Sequence, residues 1–415
     1  MSKLDELLQE LCPDGVEYKL LREFATVSRG GNFQKKDFKP DGVPCIHYGQ
    51  IYTRYGLFAD KTFTFISDEC AKRQKMAVKG DIIMAVTSEN VEDVCKCLAW
   101  LGDSDVAVSG HSAIIHHNQN AKYLTYYFHT EMFFAQKRKL AHVTKVIEVT
   151  PDKLLDVKIP VPPLEVQREI VRILDNFTEL TAELTAELTA RQKQYEYYRD
   201  KLLTFGVHGG ATSEAIWRTL GEVCGLKAGK AIPSYEISPE PTAEYCIPCY
   251  GGNGLRGYVR QANQQGEKSL IGRQGALCGN VCYATGDYYA TEHAVVVTNK
   301  GDFNDRFLYH LLVHENLNQY KTAGAQPGLS VSRLETITVP VPDIDVQDKI
   351  AYVLDNFDAI CTDLNIGLPA EIKARQKQYE FYRDKLLTFA ATGEIISEQA
   401  SKQASKQASK QASGV

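Results

Sequence analysis

One stretch of sixteen residues occurs twice in this chain, at 190–205 and at 374–389, and the two copies differ only at Tyr197 and Phe381. A proline-rich segment precedes each copy, and these two segments, 159–177 and 339–357, also share a pattern. Chance does not produce identity of this length. The sequence therefore predicts two tandem halves built on one plan.

The first copy ends a segment that is predicted to be one long helix. Between Pro163 and Gly206 the sequence contains no Pro or Gly, and apolar residues recur at gaps of three and four, as in a coiled-coil seam. A helix over 164–204 would be about 60 Å long and would need a partner along its length. The second copy can supply that partner, although two independent helices in a bundle would also fit. Gly367 and Pro369 predict a break or kink in the second helix.

Composition limits the class of protein. A chain of 415 residues predicts two to four domains, and its eleven cysteines lack disulfide-framework spacing, so we expect reduced thiols in the cytoplasm. The sequence shows neither a secretory signal nor an apolar stretch long enough to span a membrane, so no membrane partner is expected. The net charge of −5 does not favour nucleic-acid binding, but local patches decide such binding.

Residues 1–160 and 207–340 are the two variable halves, each predicted to be a mixed α/β domain. The first should contain a helix, two strands and a further helix, at 4–11, 82–86, 112–115 and 123–140. The second shares anchor positions with it: Gly229 matches Gly30, 294–296 matches 113–115, and 307–320 matches 123–140. Between these anchors the halves are unlike, and 38–54 does not resemble 235–256. A repeated framework with different loops predicts that two different things are recognised.

Four features together resemble the specificity subunit of type I restriction-modification enzymes, in the branch with TAEL spacer repeats (type IC-like). They are the tetrapeptides 181–184 and 185–188, the RQKQYxYYRDxLLxF block, the Pro-Val-Pro lead-ins and the stretch 325–330. The resemblance implies an α+β fold with two tandem mixed α/β target-recognition domains, two long antiparallel coiled-coil helices and a pseudo-twofold internal repeat. The corresponding segments are 1–160 and 207–340 for the domains, 161–206 and 341–392 for the spacer helices, and 393–415 for a low-complexity tail that we expect to be disordered.

The resemblance also implies a function. Each domain would read one half of a bipartite asymmetric site in double-stranded DNA, and the helices would set the gap and bind two modification subunits, which two restriction subunits would join. The chain itself would need no cofactor, since S-adenosylmethionine, ATP and Mg would belong to the partner subunits. An alternative is a non-enzymatic scaffold whose variable domains bind protein or small ligands. The implied spacer residues are Thr181, Leu184, Thr185, Leu188, Tyr195, Tyr198, Leu202, Tyr379, Tyr382 and Leu386.

Candidate DNA contacts occur where basic, amide and aromatic residues adjoin glycine, because the backbone must approach phosphate closely. A solvent-exposed loop residue without a role is the alternative for each of them. In the first half the candidates are Arg29, Asn32, Tyr48, Gln50, Tyr52, Arg54, Thr87, Ser88 and Asn90. In the second half they are Lys227, Lys230, Tyr250, Asn253, Arg256, Arg273 and Gln274.

Apparent catalytic motifs fail on spacing or composition. Asp152, Asp156 and Lys158 imitate a nuclease signature, but they are very close together, and a strand entering the proline lead-in is the better interpretation. The segment 225–230 is one residue short of a phosphate loop and is followed by Ala231 in place of Ser or Thr. An Asn-Pro-Pro-Tyr element for adenine methylation is missing. Reduced thiols explain Cys246, Cys249, Cys278 and Cys282 better than zinc does, and framework hydrogen bonding is the simplest role for His111 and His293.

The TAEL repeats lead to a prediction about the gap between the half-sites. One more tetrapeptide after Leu188 adds about 6 Å of helix and a net rotation of about 40°, which nearly preserves the apolar seam. DNA rises about 3.4 Å and turns about 36° for each base pair. We expect the insertion to lengthen the gap by one base pair and to leave both half-sites unchanged, as sequencing of the methylated sites would show. An unchanged gap in an active enzyme would mean that the repeat is a passive linker.

Overall fold

The computed structural model describes residues 2–143, 146–206, 215–275, 277–322, 327–363 and 366–388. It divides the chain into two compact units. Unit 1 consists of Met1–Ala182 and Lys373–Val415, and unit 2 consists of Glu183–Ile372. The predicted disordered tail and residues 325–326 lie outside the described residues.

The first part of the chain contains many short strands and few helices. Its helices are α1 (Lys3–Leu11), α2 (Tyr48–Thr53), α3 (Asp68–Ala71), α4 (Ala121–Tyr127), α5 (Glu131–Leu140), α6 (Pro151–Leu154) and the start of α7 (Leu164–Leu203). Its strands are β1 (Tyr18–Leu20), β2 (Ala25–Arg29), β3 (Val43–Ile46), β4 (Phe58–Ala59), β5 (Thr64–Ile66), β6 (Lys75–Ala77), β7 (Ile82–Ala85), β8 (Thr87–Ser88), β9 (Cys97–Trp100), β10 (Val106–Val108), β11 (Ser112–His117), β12 (His142–Val143), β13 (Ile147–Glu148) and β14 (Lys158–Pro160). The predicted helix over 4–11 and the predicted strands are confirmed.

The second part follows the same order with fewer insertions. Its strands are β15 (Ala215–Thr219), β16 (Cys224–Ala228), β17 (Ile247–Gly251), β18 (Gly254–Val259), β19 (Gln264–Gln265), β20 (Lys268–Gly272), β21 (Val281–Ala284), β22 (Asp287–Ala290), β23 (Ala294–Asn299) and β24 (Thr338–Pro342). Its helices are α8 (Leu220–Val223), α9 (Asp305–His314), α10 (Val331–Glu335) and α11 (Ile344–Thr362), and α12 (Leu368–Leu387) follows.

Each unit contains two main sheets, and the strand order of the sheets is repeated. One sheet has the order β2-β11-β7-β9-β4 in unit 1 and β16-β23-β20-β21 in unit 2. The other has the order β5-β3-β10-β6 in unit 1 and β18-β17-β22-β19 in unit 2, with one parallel pair at its centre in both cases. A small antiparallel pair, β1-β14 or β15-β24, leads into the following long helix. The predicted internal repeat and mixed α/β fold are confirmed.

The repeat shows where the two domains differ most. In unit 1 the chain between β3 and β5 forms α2 and β4, whereas in unit 2 β17 turns directly into β18 as a hairpin. The strand registers also correct the sequence alignment by one residue. Gly30 N donates to Ser112 O and Gly229 N donates to Ala294 O, so Ser112, and not Ala113, is the counterpart of Ala294.

The long helix is confirmed, with observed bounds of Leu164–Leu203. The second helical segment is interrupted as expected, because α11 ends at Thr362 and α12 begins at Leu368, next to Gly367 and Pro369. The single helix predicted over 123–140 is wrong. The first helix, α4, ends at Tyr127, and Thr130 is the N-cap of α5, accepting a hydrogen bond from Phe133 N at 3.2 Å. The corresponding segment 307–320 is likewise divided into α9 and a 3-10 turn at Leu317–Tyr320.

Helices from distant parts of the sequence complete the core of each unit. In unit 1, Leu386 and Leu387 of the second sixteen-residue copy are buried in one cluster with Ile170 and Leu174 of α7. In unit 2, Leu203 of the first copy is buried with Ile350 and Leu354 of α11. Each copy therefore supplies core to the unit formed mainly by the other half of the chain, an arrangement that the sequence did not predict.

In each domain one buried glutamine connects the domain to the proline lead-in that follows it. Gln167 is fully buried, accepts a hydrogen bond from Asn120 N at 3.0 Å and donates one to Pro162 O at 2.8 Å. Gln347, 1% exposed, makes the same two bonds with Asn304 N and Pro342 O, each at 2.8 Å. The side chain in each case satisfies backbone groups at a helix N-terminus and at a strand end, where intrahelical and ladder partners are missing.

Within the described ranges, every helix is too short or too polar to cross a membrane.

The hydrogen bonds of the buried Gln347 lead to a prediction about stability. Gln347→Ala removes both hydrogen bonds and leaves buried backbone groups unpaired, so we expect a loss of about 3 kcal/mol in the free energy of unfolding. Urea unfolding followed by circular dichroism would measure it. Gln192→Ala, at an exposed position of α7, is the matched control and should change stability by less than about 0.5 kcal/mol. A similar small effect at both positions would contradict a structural role for Gln347.

Candidate nucleic-acid interface

In unit 1 a short loop between β10 and β11, residues Ser109, Gly110 and His111, collects several of the predicted contact residues. Tyr48 N donates to Ser109 Oγ at 2.8 Å, and the Tyr48 ring centroid lies 4.9 Å from that of His111. Thr87 Oγ1 is 3.2 Å from His111 Nδ1. Tyr48 and Thr87, which are far apart in sequence, therefore meet on one histidine.

Arg29 and Asn32 border the same loop. Arg29 Nε donates to Gly110 O at 2.8 Å, and its Nη2 donates to Glu148 Oε1 at 2.7 Å. A Cβ added at Gly110 would lie 3.2 Å from Asn32 Oδ1. The side chain of Arg29 remains 47% exposed despite its ion pair. These side chains form a polar rim around the loop.

Four other candidates in unit 1 have side chains that contact neighbouring residues of the same domain. Gln50 is 8% exposed, accepts from His47 N at 3.0 Å and donates to Thr64 Oγ1 at 3.1 Å. Tyr52 donates to Thr87 O at 2.9 Å, and burial raises the pKa of its hydroxyl. Asn90 donates to Asp93 Oδ2 at 2.8 Å, and Arg54 lies 5.7 Å from the Phe63 ring centroid.

Ser88 pairs with Ile147 in the β8-β13 ladder, and its Oγ accepts from Asn90 N at 3.5 Å. The structure thus gathers Arg29, Asn32, Tyr48 and Thr87 around residues 109–111. It gives Gln50, Tyr52 and Asn90 partners that hold the fold.

Unit 2 repeats this construction with the loop Thr291, Glu292 and His293 between β22 and β23. Thr291 N donates to Tyr250 O at 2.9 Å, Lys230 N donates to Ala290 O at 3.0 Å, and Arg273 N donates to His293 O at 2.9 Å. The last bond is the counterpart of the bond from Val86 N to His111 O at 3.0 Å in unit 1. The two histidines therefore occupy equivalent places.

The remaining candidates of unit 2 lie at or near the β17–β18 hairpin. A Cβ added at Gly252 would lie 2.9 Å from Gln274 O and 3.6 Å from His293 O, so this turn passes directly over the loop. Asn253 lies in that turn. Arg256 Nη2 donates to Ser234 Oγ at 3.1 Å, and Lys227 lies in β16 opposite Val296. Lys230, Tyr250, Asn253, Arg273 and Gln274 are thus brought together, and Glu292, which the sequence analysis missed, lies among them.

Catalytic alternatives are disfavoured by local structure. Residues 225–228 form part of β16, paired with β23, and not a loop that could wrap a phosphate. Asp156 forms an ion pair with Arg22, and Lys158 begins β14, the strand that was expected to enter the proline lead-in.

Two of the four cysteines considered as zinc ligands have weakly acidic thiols. Burial raises the pKa of Cys249 and of Cys282 to about 11, so both are protonated at neutral pH. In the described part of the chain, His, Cys, Asp and Glu side chains do not gather in groups of three or more that could hold a metal ion.

Comparison with known proteins identifies the family. The model of the type I restriction modification DNA specificity domain matches residues 13–191 and again 215–374. The chain belongs to this family. The two matches coincide with the repeated α/β framework, each followed by helix, that carries the loops described above.

Curated relatives and solved structures of the specificity family agree with this assignment. The EcoprrI specificity subunit of Escherichia coli is 48% identical over 209 residues, 49% of this chain and 51% of the relative. The EcoR124I/EcoR124II specificity subunit of Escherichia coli is 33% identical over 261 residues, 56% of this chain and 63% of the relative. The chain thus spans about half to two thirds of the length of these relatives.

A type I S subunit structure from M. genitalium matches with a TM-score of 0.56 at 18% identity, covering 90% of this chain and 96% of that one. A chain from a study of complex assembly and conformational transition in the type I R-M system matches with a TM-score of 0.58 at 17% identity, covering 90% and 98%. At this identity the likeness concerns the fold.

Proposed function

We propose that this chain is the non-catalytic DNA-recognition subunit of a type I restriction-modification complex, in which each variable domain binds one half of a bipartite asymmetric site. The observation that supports this most directly is the pair of equivalent loops, 109–111 and 291–293. Both lie on the same framework, and both are surrounded by basic, amide and aromatic side chains that differ between the units. Unlike side chains on like frameworks suit two different half-sites.

The alternative, a scaffold for protein or small ligands, has less support. Each loop is bordered by arginine or lysine, which suits a phosphate backbone, and by glycine turns that allow close approach. Cofactor chemistry is assigned to partners in this proposal: S-adenosylmethionine, ATP and Mg would be bound by modification and restriction subunits. A cytoplasmic location, expected from the reduced cysteines, belongs to the same proposal.

The sixteen-residue block supplies a surface for two identical partners. Tyr197 in unit 2 and Phe381 in unit 1 are each 60% exposed. Lys201 Nζ lies 5.8 Å from the Tyr197 ring centroid and Lys385 Nζ lies 5.9 Å from that of Phe381. The next residues, Tyr198 and Tyr382, instead stack on another helix of their own unit, although Tyr198 remains 39% exposed. An exposed aromatic ring with a lysine over it, present twice in the same setting, suits two copies of one modification subunit.

Reconstitution tests the recognition role. The purified chain alone should neither methylate nor cleave DNA, whereas addition of the cognate modification subunit should give adenine methylation at one bipartite asymmetric site. The measurement is transfer of labelled methyl groups from S-adenosylmethionine, followed by sequencing of the modified positions. Strong methylation by the chain alone, or modification without sequence preference in the complex, would contradict the proposal.

Substitution of the exposed rings tests the partner surface. Tyr197→Ser and Phe381→Ser should each weaken the binding of one modification subunit about tenfold or more, because a buried aromatic anchor typically contributes over 1 kcal/mol. The double variant should weaken both. Native mass spectrometry at graded partner concentrations would count the bound subunits.

Tyr352→Ser is the matched control for this experiment. Tyr352 is 72% exposed on α11, but it has Arg172 as its counterpart in α7, so this ring is not repeated. Its removal should leave both binding steps unchanged. Equal losses in the control and in the two test variants would show that the repeated ring is not the binding surface.

A further inference from the structure

The loop Thr291–Glu292–His293 has unpaired polar atoms that its counterpart in unit 1 lacks. Among the described residues, Glu292 Oε2, His293 Nδ1 and Arg273 Nε are shielded from solvent and have no hydrogen-bond partner. In unit 1 the matching histidine is paired, since His111 Nδ1 lies 3.2 Å from Thr87 Oγ1. Buried polar groups are normally paired, so these three atoms can gain a partner on binding without losing a hydrogen bond within the chain.

Glu292 is the distinctive side chain of this loop. Its Oε1 is 3.2 Å from His293 Nε2, and the side chain is 38% exposed. Its counterpart in unit 1 is Gly110, which has no side chain to offer. The hydrogen bonds of Ser112 N to Ser109 O and of Ala294 N to Thr291 O, both 3.0 Å, define this equivalence. One loop therefore presents a carboxylate where the other presents only backbone.

A carboxylate at the centre of a DNA-facing surface restricts what it can contact. It repels phosphate, and it accepts hydrogen bonds without donating any. Its suitable partner on duplex DNA is an exocyclic amino group at a base edge, and the pairing typical of Glu in the major groove is with N4 of cytosine. Lys230 and Arg273 beside it provide the positive charge that keeps the surrounding surface compatible with the backbone.

We propose that Glu292 reads a cytosine in the half-site recognised by unit 2, accepting from the N4 amino group, while His293 positions the carboxylate through Oε1. Oε2 is shielded from solvent in the free chain, so the contact requires a rotamer change of the 38% exposed side chain that turns Oε2 toward the base. This inference rests on the proposed function, because it names the base read by one loop of that site.

Glu292→Gln tests the inference, since glutamine keeps the shape of the side chain but favours adenine, which it can contact at N6 and N7. The experiment uses the reconstituted complex with the modification subunit and a DNA library randomised in both half-sites. At one position of the unit 2 half-site, the preference for cytosine should fall about tenfold or more and adenine should gain. Glu292→Ala should lose the preference for cytosine without the gain for adenine. The half-site read by unit 1 should be unchanged in both variants.

Glu244→Gln is the matched control, with the same change in charge. Glu244 forms an ion pair with Arg260 at 3.0 Å, at the end of β18 opposite the turn, and the variant should keep the wild-type site. An unchanged unit 2 half-site in both Glu292 variants would overturn the inference, and so would a uniform loss of methylation at every sequence. A wild-type complex that modifies no bipartite site would instead overturn the proposed function, which keeps the two failures distinct.

Discussion

In each unit one stacked aromatic pair joins the two helical segments that meet there. The ring centroids of Phe177 and Tyr382 lie 5.5 Å apart in unit 1, and those of Phe357 and Tyr198 lie 5.6 Å apart in unit 2, with an interplanar angle of 23° in both. In each pair the phenylalanine follows a proline lead-in and the tyrosine belongs to a sixteen-residue copy. The copy that closes a domain is therefore the one that follows the other domain in sequence. Neither half of the chain completes its own core.

This exchange explains why the copies are so alike while the domains are not. Each copy packs on an equivalent pair of helical segments, so its half-buried tyrosines and buried leucines are constrained by packing, where loss of even one methylene is felt. Packing cannot explain identity at exposed positions, however, and most of the copy is exposed or half-buried. A common partner on the outer face would constrain those positions too.

The contact between each lead-in helix and the preceding domain uses different side chains in the two units. In unit 1, Asp175 accepts hydrogen bonds from Tyr126 and Lys122, both at 2.7 Å. In unit 2, Asp355 Oδ1 lies 2.7 Å from His310 Nε2 and accepts from Arg306 Nε at 2.9 Å. In both units one aspartate contacts a ring-bearing side chain and a cationic side chain. These are tyrosine and lysine in unit 1, and histidine and arginine in unit 2. The position of the donor matters here more than its identity.

Local and repeated features could be predicted from the sequence, and features that depend on tertiary partners could not. The long helix and its broken counterpart follow from the distribution of Gly and Pro. The division between α4 and α5 was missed because no Pro or Gly marks it in the sequence. Gln50 resembles a DNA contact in sequence, but Thr64, fourteen residues away, uses its amide. No local pattern in the sequence indicates that each unit is completed by the sixteen-residue copy from the other half of the chain.

The backbone around the recognition loops shows how sequence preference can change while the fold is kept. A Cβ at Gly30 would lie 2.2 Å from Ser109 O, and one at Gly229 would lie 2.1 Å from Ala290 O, so both glycines are required where β2 or β16 approaches the loop. These close approaches of backbone atoms help to fix the path of the loop. They do not involve the side chain at its middle position, which is Gly110 in one unit and Glu292 in the other. That position can therefore vary without loss of these contacts, and such a position can be used to read DNA.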